Sequence, residues 1–453
     1  MSLLPRVWSS ALNVLRSFYV TRRFYLLLVG VAGLYFLAFF VPAIRSFTDP
    51  VLVVAVAVVV GDVALIYGTG TVSAERTVAR RLSNGDQNPI AAQVRSTYPF
   101  LAKLTVVDEL PAQLQVRDMS IRVSVPPGGS RTVRYSVRPT ERGEYDFGVV
   151  NVLATSPLGL VERRFRCAEE ATVPVYPSYI QMHKYSLLAA SNRLTEIGVK
   201  KVRQLGHTME FDHIREYVTG DDYRTINWKA SARRGDLMVN QYREERSQPV
   251  YSLINAGRVM RMPFDGMTLL DYSINAALVL SNIAIMKQDR AGIIGFSDTI
   301  GPVVPASRRN AQMQQIQEGL YHLDTNYQEP DYERLAAYVR GNVRGRALLL
   351  LFTNFMAKTS LERQLPYLQA LAKSHTVVVI FFENTELDTF LASNAETMEE
   401  VYVHTIAEKF ANEHSEIIRE LEQRGIYAVH TRPENLSTET INKYLELKAR
   451  GVV

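Results

Sequence analysis

Residues 24–43 read FYLLLVGVAGLYFLAFFVPA, without a single charge. That run limits what the chain can fold into more than any other feature. About twenty residues of helix, rising about 1.5 Å each, span the roughly 30 Å hydrocarbon core of a bilayer. A second run at 51–68, VLVVAVAVVVGDVALIYG, is interrupted by Asp62. A lone carboxylate at that depth costs about 2.5–3.5 kcal/mol on insertion scales. Asp62 should therefore face the first helix or sit near an end, either tucked at the helix interface or serving as a proton or partner contact. The stretch Arg45-Ser-Phe-Thr-Asp-Pro50 between the runs is expected to be a turn outside the bilayer. Arg6, Arg16, Arg22 and Arg23 precede the hairpin with no acidic residue among them, and Arg76, Arg80 and Arg81 follow it. Positive charge on both flanks places both in the cytoplasm. The expectation is a cytoplasmic segment 1–23, a two-helix transmembrane hairpin 24–70, and cytoplasmic soluble domains after Gly70. A cleaved signal peptide is the rival, but the first run exceeds a typical signal core and a second span follows at once.

The 453-residue chain is too long for one ordinary core, so two or three folded units are expected. Its formal charge of +5 is small for that length and argues against nucleic acid, which needs a concentrated basic face. Cys167 is the only cysteine, which excludes an internal disulfide and a multi-cysteine zinc site. It is read as a structural thiol in a β-rich stretch. From 72 to 177 the pattern is short alternating strands, at Gln115-Val-Arg, Ser120-Ile-Arg-Val-Ser-Val and Arg131-Thr-Val-Arg-Tyr-Ser-Val. Turns punctuate them at Pro126-Pro-Gly-Gly, Glu141-Arg-Gly-Glu and Ser156-Pro-Leu-Gly. A small immunoglobulin-like β-sandwich is expected.

Residues 178–248 form a charged bridge, most distinctive from Gly206 to Arg246. Ile226, Ala230 and Arg233 recur at helical spacing, and Gly220-Asp-Asp makes a turn with an aspartate available as cap. Leu237-Met-Val-Asn-Gln-Tyr then alternates like a strand. Three readings stand: a salt-bridged bracket with Trp228 as its buried anchor, a partner-binding surface, or chemistry at Glu216, Asp221 and Asp222 with Lys229 and Arg233 on an anion. His207 and His213 lack metal-ligand spacing, and no Gly-rich phosphate loop is present.

The string Ile214-Arg-Glu-Tyr217, Gly220-Asp221, Arg224-Thr-Ile-Asn-Trp-Lys229, Ser231-Ala-Arg233, continuing to Glu244-Glu245, resembles the signature of the domain of unknown function 58 family. The motif positions are Arg215, Glu216, Tyr217, Gly220, Asp221, Arg224, Asn227, Trp228, Lys229, Ser231 and Arg233. The resemblance implies an accessory protein of the bacterial inner membrane, found alongside MoxR-type AAA+ ATPases and other von Willebrand A-domain proteins. It implies no catalytic role.

From Pro249 strands alternate with helices, the mark of a parallel sheet covered on both faces. Strands are expected at 250–254, 291–296, 347–352, 376–382 and 426–429, with helices at 269–286 and 398–423. Order and spacing resemble an α/β Rossmann-like von Willebrand factor A-type domain over 249–453. That fold often holds a divalent cation through an Asp-x-Ser-x-Ser loop, a threonine and a further aspartate. Here Asn255 stands for the aspartate, Gly257 and Val259 for the serines, and Thr353-Asn354 for the threonine and second aspartate; Thr299 and Ser307 are weak candidates for the remaining threonine. Two carboxylates have become amides and Arg258 adds a repulsive cation, so no metal or other cofactor is expected. Asn255, Arg258 and Asn354 are read either as partner contacts or as satisfying strand-end backbone.

The sequence therefore reads as a non-catalytic inner-membrane assembly or adaptor module working with a MoxR-type AAA+ ATPase. A hydrolase built on the bridge carboxylates and a structural cell-envelope protein are the alternatives.

Overall fold

The structure, a computed structural model, describes residues 16–117, 119–168, 170–190, 198–199, 210–243, 247–355, 357–383 and 398–452. Arg6, His207, Glu244 and Glu245 lie outside the described residues. The chain forms two compact units, Met1–Val175 and Tyr176–Val453.

The first unit starts with strand β1 (Phe18–Val20) and helices α1 (Arg22–Phe40) and α2 (Pro42–Gly68). Both helices are long and apolar enough to cross a bilayer. Only Ala38 of α1 is buried, while Leu26, Val29, Phe36 and Phe39 are more than half exposed. An apolar surface of that extent needs a non-aqueous cover. The turn between the helices is tighter than the sequence suggests. Val41 alone is extended, and α2 starts at once with Pro42 in its first turn, where the fixed φ of proline suits a helix start. Residues 45–50, expected as a turn, are therefore helical, with Pro50 inside α2.

Ten strands follow: β2 (Val72–Thr77), β3 (Leu82–Ser83), β4 (Asn88–Ser96), β5 (Ala102–Asp108), β6 (Ile121–Val125), β7 (Ser130–Val137), β8 (Gly143–Phe147), β9 (Val150–Thr155), β10 (Val161–Cys167) and β11 (Ala171–Tyr176). They form three sheets, in the orders β1-β10-β9-β5-β6, β2-β4-β7 and β3-β11-β8. Gln115-Val-Arg117 is not the strand expected there. Gln115 ends a 3-10 turn in the left-handed region, φ 54°, so pairing with β5 begins only at Ile121. Strand β1, read from sequence as part of a leading segment, pairs with β10.

The last turns of α2 enter the β core. Ile66 is fully buried among Val72, Val94, Tyr98, Leu104, Val152 and Val161, and Val59, Val63 and Tyr67 pack alongside. Tyr98 donates its hydroxyl to the Ile66 carbonyl at 2.7 Å. Asp62 is also fully buried, but its partner is a β turn and not α1. It accepts from Ser156 Oγ at 2.5 Å and from the amides of Leu158 and Leu160, each at 3.2 Å. A second core of Leu82, Ile90, Val137, Tyr145, Phe147, Val173 and Val175 contains no residue of α1 or α2. Beside it, Arg76 and Asp108 pair at 2.8 Å with side chains 3% and 0% exposed, and Tyr135 donates to the same carboxylate.

The second unit opens with α3 (Tyr179–Ala190), then β12 (Glu210–Glu216), α4 (Trp228–Arg234) and β13 (Met238–Arg243). Strands β14 (Pro249–Asn255), β15 (Pro263–Phe264) and β16 (Met267–Thr268) lead into α5 (Leu269–Met286). The order continues β17 (Arg290–Phe296), β18 (Ile300–Ser307), α6 (Gln312–Tyr321), α7 (Tyr332–Asn342), β19 (Leu348–Phe352), α8 (Lys358–Ala372), β20 (Thr376–Phe382), α9 (Met398–Gln423), β21 (Tyr427–Thr431) and α10 (Leu436–Ala449). The main sheet runs β18-β17-β14-β19-β20-β21. All its pairs are parallel except β17–β18. The edge strand β18, whose Pro302 and Pro305 weaken a strand signal, was not expected from sequence.

Alternation along the strands shows why both faces are covered. Leu348, Leu350, Phe352, Val378, Ile380 and Phe382 belong to the core under α5 and α10. Their neighbours Leu349, Leu351, Val377, Val379 and Phe381 belong to the core under α7, α8 and α9. Successive side chains leave opposite faces of a strand, so an unbroken apolar run needs two layers of helices. Helix α5 also has the length and hydropathy of a membrane span, but 78% of it is buried within the fold. Part of the bridge belongs to this unit, since the Ser178 amide donates to Asn275 Oδ1 at 2.8 Å and the Tyr185 and Thr438 hydroxyls meet at 2.9 Å.

Candidate functional site

The motif residues fold into a β12–β13 hairpin carrying a 3-10 turn and the short helix α4. Arg215 clamps Asp221 through two hydrogen bonds of 2.8 and 2.7 Å, the bidentate geometry in which guanidinium and carboxylate fit best. The Asp221 carboxylate also accepts from the Val218 amide at 3.0 Å. Arg215, and then that amide, hold the Asp221 pKa below the usual carboxylate range, while the pair raises that of Arg215. Gly220 sits at φ +114°, closed to ordinary side chains, so the turn requires glycine.

Asp222 accepts from the Arg224 amide at 3.0 Å and starts the 3-10 turn Tyr223–Thr225. Asn227 caps α4 by accepting from the Ala230 amide at 3.0 Å, and its Nδ2 donates to Asn240 at 2.8 Å. Ser231 is buried, donates to the Asn227 carbonyl at 2.9 Å and accepts from the Met238 amide at 2.8 Å. Tyr217 closes the hairpin through its amide to the Leu237 carbonyl at 2.8 Å. The aspartate expected as a helix cap thus starts the 3-10 turn, and the asparagine caps the helix.

Trp228 is not a buried anchor: it is 69% exposed. Helix α4 has only seven residues, and the face it docks is that of Ser231 against Met238 and Val239. Ile214, Val218, Tyr223 and Leu237 are exposed too, Tyr223 at 70%. Arg224 stands 5.7 Å over the Tyr223 ring. Glu216, Lys229, Arg233 and His213 are also exposed. Asp221 is committed to Arg215 and Asp222 to the turn, so Glu216 gains no paired carboxylate from them for acid–base work. The unanticipated signal was the excess of large apolar residues over what so short a hairpin can bury.

The strand ends of the sheet gather a second group. Asn255 Nδ2 donates to Thr353 Oγ1 at 2.9 Å, and Asn255 Oδ1 accepts from the Gly257 amide at 2.8 Å. The Tyr332 hydroxyl meets Thr353 Oγ1 at 2.6 Å, and full burial pushes its pKa well up. Asn255 and Thr353 have no exposure to solvent. Gly257 lies under the segment before α7: a Cβ there would come within 2.9 Å of the Gln328 carbonyl and of Pro330. Arg258 donates its amide to that carbonyl and pairs with Glu329 at 2.9 Å. Val259 packs at the border of the core, and Asn354 makes a 3.8 Å contact to Met262 Sδ. Thr299 and Ser307 lie at the ends of β18. Of the two readings, Asn255 satisfies the strand-end backbone and a neighbouring hydroxyl, while Arg258 and Asn354 remain at the surface. Tyr332 carries no sequence signal as a strand-end partner, because it opens helix α7 and stands in no strand-end loop. Cys167 is half-buried, and burial raises its thiol pKa, as suits a structural thiol.

Several proteins are similar to parts of this chain. The uncharacterized protein YeaD of Bacillus subtilis is 30% identical over 183 residues, covering 39% of this chain and 45% of its own length. This chain thus matches less than half of that relative. Among solved structures, the MG7-to-C-terminus part of alpha-2-macroglobulin from Escherichia coli is 20% identical at TM-score 0.20, covering 24% of this chain and 17% of its own. The CARDB domain of the PF1109 protein from Pyrococcus furiosus is 12% identical at TM-score 0.16, covering 22% and 96%. Likenesses that low bear on neither fold nor function. Residues 213–423, which hold most of the motif hairpin and of the α/β sheet, match the family described as protein of unknown function DUF58.

Proposed function

We propose that this chain is a non-catalytic adaptor of the bacterial cytoplasmic membrane: a two-span hairpin, an immunoglobulin-like β-sandwich, and a metal-free von Willebrand A-like domain whose motif hairpin docks a MoxR-type AAA+ ATPase. One observation carries the docking reading. The polar motif residues Arg215, Asp221, Asn227 and Ser231 are used within the hairpin, while Trp228 and Tyr223 stand exposed at 69% and 70%. Exposed tryptophan and tyrosine beside arginine are the residue types that dominate protein interfaces. Arg224, Lys229, Arg233 and Arg234 beside them favour a partner surface with carboxylates. The six-stranded order with its antiparallel edge supports the von Willebrand A-like assignment, and positive charge flanking the helices supports cytoplasmic domains.

The test is binding of the detergent-solubilised chain to the purified ATPase, intact and as the Tyr223→Ala, Trp228→Ala double variant. Each truncation at an interface centre costs about 2 kcal/mol, so the double variant should bind at least about 100-fold more weakly. Equal binding by both proteins, or none by the intact chain, overturns the reading.

A further inference from the structure

We propose that the β turn 156–160 is itself a membrane-contact element, placing Leu158 at the boundary between lipid headgroups and acyl chains. This rests on the reading of α1 and α2 as bilayer-spanning. From the turn at Val41, the twenty residues Pro42 to Gly61 of α2, with Arg45 and Asp49 in the first two turns at the far interface, rise about 30 Å back to the level at which α1 begins. Asp62 is the next residue, at the edge of the hydrocarbon and not within it. On α1 the uncharged run begins at Phe24, directly after Arg22 and Arg23.

The turn is pinned at this same level from both helices. Asp62 accepts from Ser156 Oγ and from the Leu158 and Leu160 amides. Thr21 Oγ1 donates to the Gly159 carbonyl at 2.6 Å, and the Thr21 amide donates to the Leu160 carbonyl at 3.1 Å. Arg23 Nη1 donates to the Leu158 carbonyl at 3.2 Å. Gly159, at φ +75°, lies so close to Arg23 that a Cβ there would come within 3.0 Å of Nη1. Six contacts fix a turn whose outermost apolar side chain, Leu158, is 50% exposed. Arg22, Arg23 and Tyr25 are exposed beside it, the basic and aromatic side chains that favour the headgroup zone. Asp62 is thereby the group that seats the β module on the bilayer.

The test uses the full chain in a Cys167→Ser background, reconstituted in vesicles of phosphatidylethanolamine and phosphatidylglycerol. An environment-sensitive fluorophore is attached at Leu158→Cys, at Val53→Cys within α2, or at Glu141→Cys beside the second β core. Quenching by nitroxides at shallow or deep acyl positions reads depth. The expected result is deep quenching at Val53, little at Glu141, and at Leu158 quenching at least twice that of Glu141 and stronger from the shallow nitroxide. Pro157→Cys, one residue along the same turn, should repeat the Leu158 result and guards against local damage. Leu158 and Pro157 both at the Glu141 level, with Val53 quenched, overturn the proposal alone. An unquenched Val53 overturns the bilayer reading and the proposal with it.

Discussion

Asp62→Ala should destabilise the first unit by about 3–5 kcal/mol. The carboxylate is fully buried and serves three donors. Ser156 Oγ loses least, since it is a hydroxyl that can rotate and still accepts from the Val161 amide at 3.2 Å. The Leu158 and Leu160 amides are backbone donors that cannot rotate; orphaning the buried Leu160 donor costs about 1–3 kcal/mol and orphaning the half-buried Leu158 donor about 1 kcal/mol. Loss of a charged acceptor adds about 1 kcal/mol more. Asp62→Asn is the informative partner. Its remaining oxygen can keep Ser156 and Leu160, the two contacts made by Oδ2, while its amide faces the Leu158 donor. It should lose about 1–2 kcal/mol. At about 2–4 °C per kcal/mol for a unit of this size, alanine lowers the melting temperature by about 6–20 °C and asparagine by less than half of that. Thermal unfolding in detergent, read by proteolysis at the 156–160 turn, measures both. An alanine variant within about 2 °C of the parent refutes the hydrogen-bond account. So does an asparagine variant as unstable as alanine, because then charge and not acceptor geometry is what the site requires.

Asp108→Ala should cost about 3–5 kcal/mol, because it removes the carboxylate paired at 2.8 Å with an Arg76 side chain that is only 3% exposed; Tyr135→Phe should cost about 1–2 kcal/mol, and urea midpoints distinguish them. His375 is 5% exposed, and burial holds its pKa below the ordinary 6.5. The unfolded chain therefore takes up the proton first, so its contribution is complete above about pH 6.5 and declines as pH falls below it; His375→Gln should flatten the loss of urea midpoint between pH 7.5 and 5.5, and an unchanged slope counts against this. Gly257→Ala should cost about 1–3 kcal/mol by pushing on the Gln328 carbonyl and Pro330, read by calorimetry with faster proteolysis at 326–330.

The periodic parts of this architecture were legible because periodicity is dictated by burial. An uncharged helix-length run and strands such as Leu348–Phe352 announce their surroundings without further information. What was lost depended on partners distant in sequence. Asp62 looked like a cost within a membrane helix because nothing near it reveals Ser156, 94 residues away. Trp228 looked like an anchor because tryptophan usually is one, and only tertiary structure shows that the seven-residue helix carrying it leaves it exposed. Tyr332, 21 residues before Thr353, completes the strand-end group from the first turn of a helix, where the sequence shows only an ordinary amphipathic pattern.

The hairpin's internal bonds and its exposed aromatics act together on the affinity expected of the proposed docking surface. A docking surface on a loose loop must lose its conformational freedom when a partner arrives, at about 0.5–1.5 kcal/mol per immobilised side chain plus the backbone term. Here the backbone is already fixed: Arg215 to Asp221 spans one corner, Asn227 to Asn240 another, and Ser231 to Met238 the base. If the hairpin docks a partner as proposed, the polar motif residues act on binding through the shape they impose. Loosening the frame, as in Asp221→Asn, should weaken docking without removing any contacting side chain. Trimming Trp228 should weaken it while the hairpin stays ordered, so amide exchange across β12 and β13 separates the two causes.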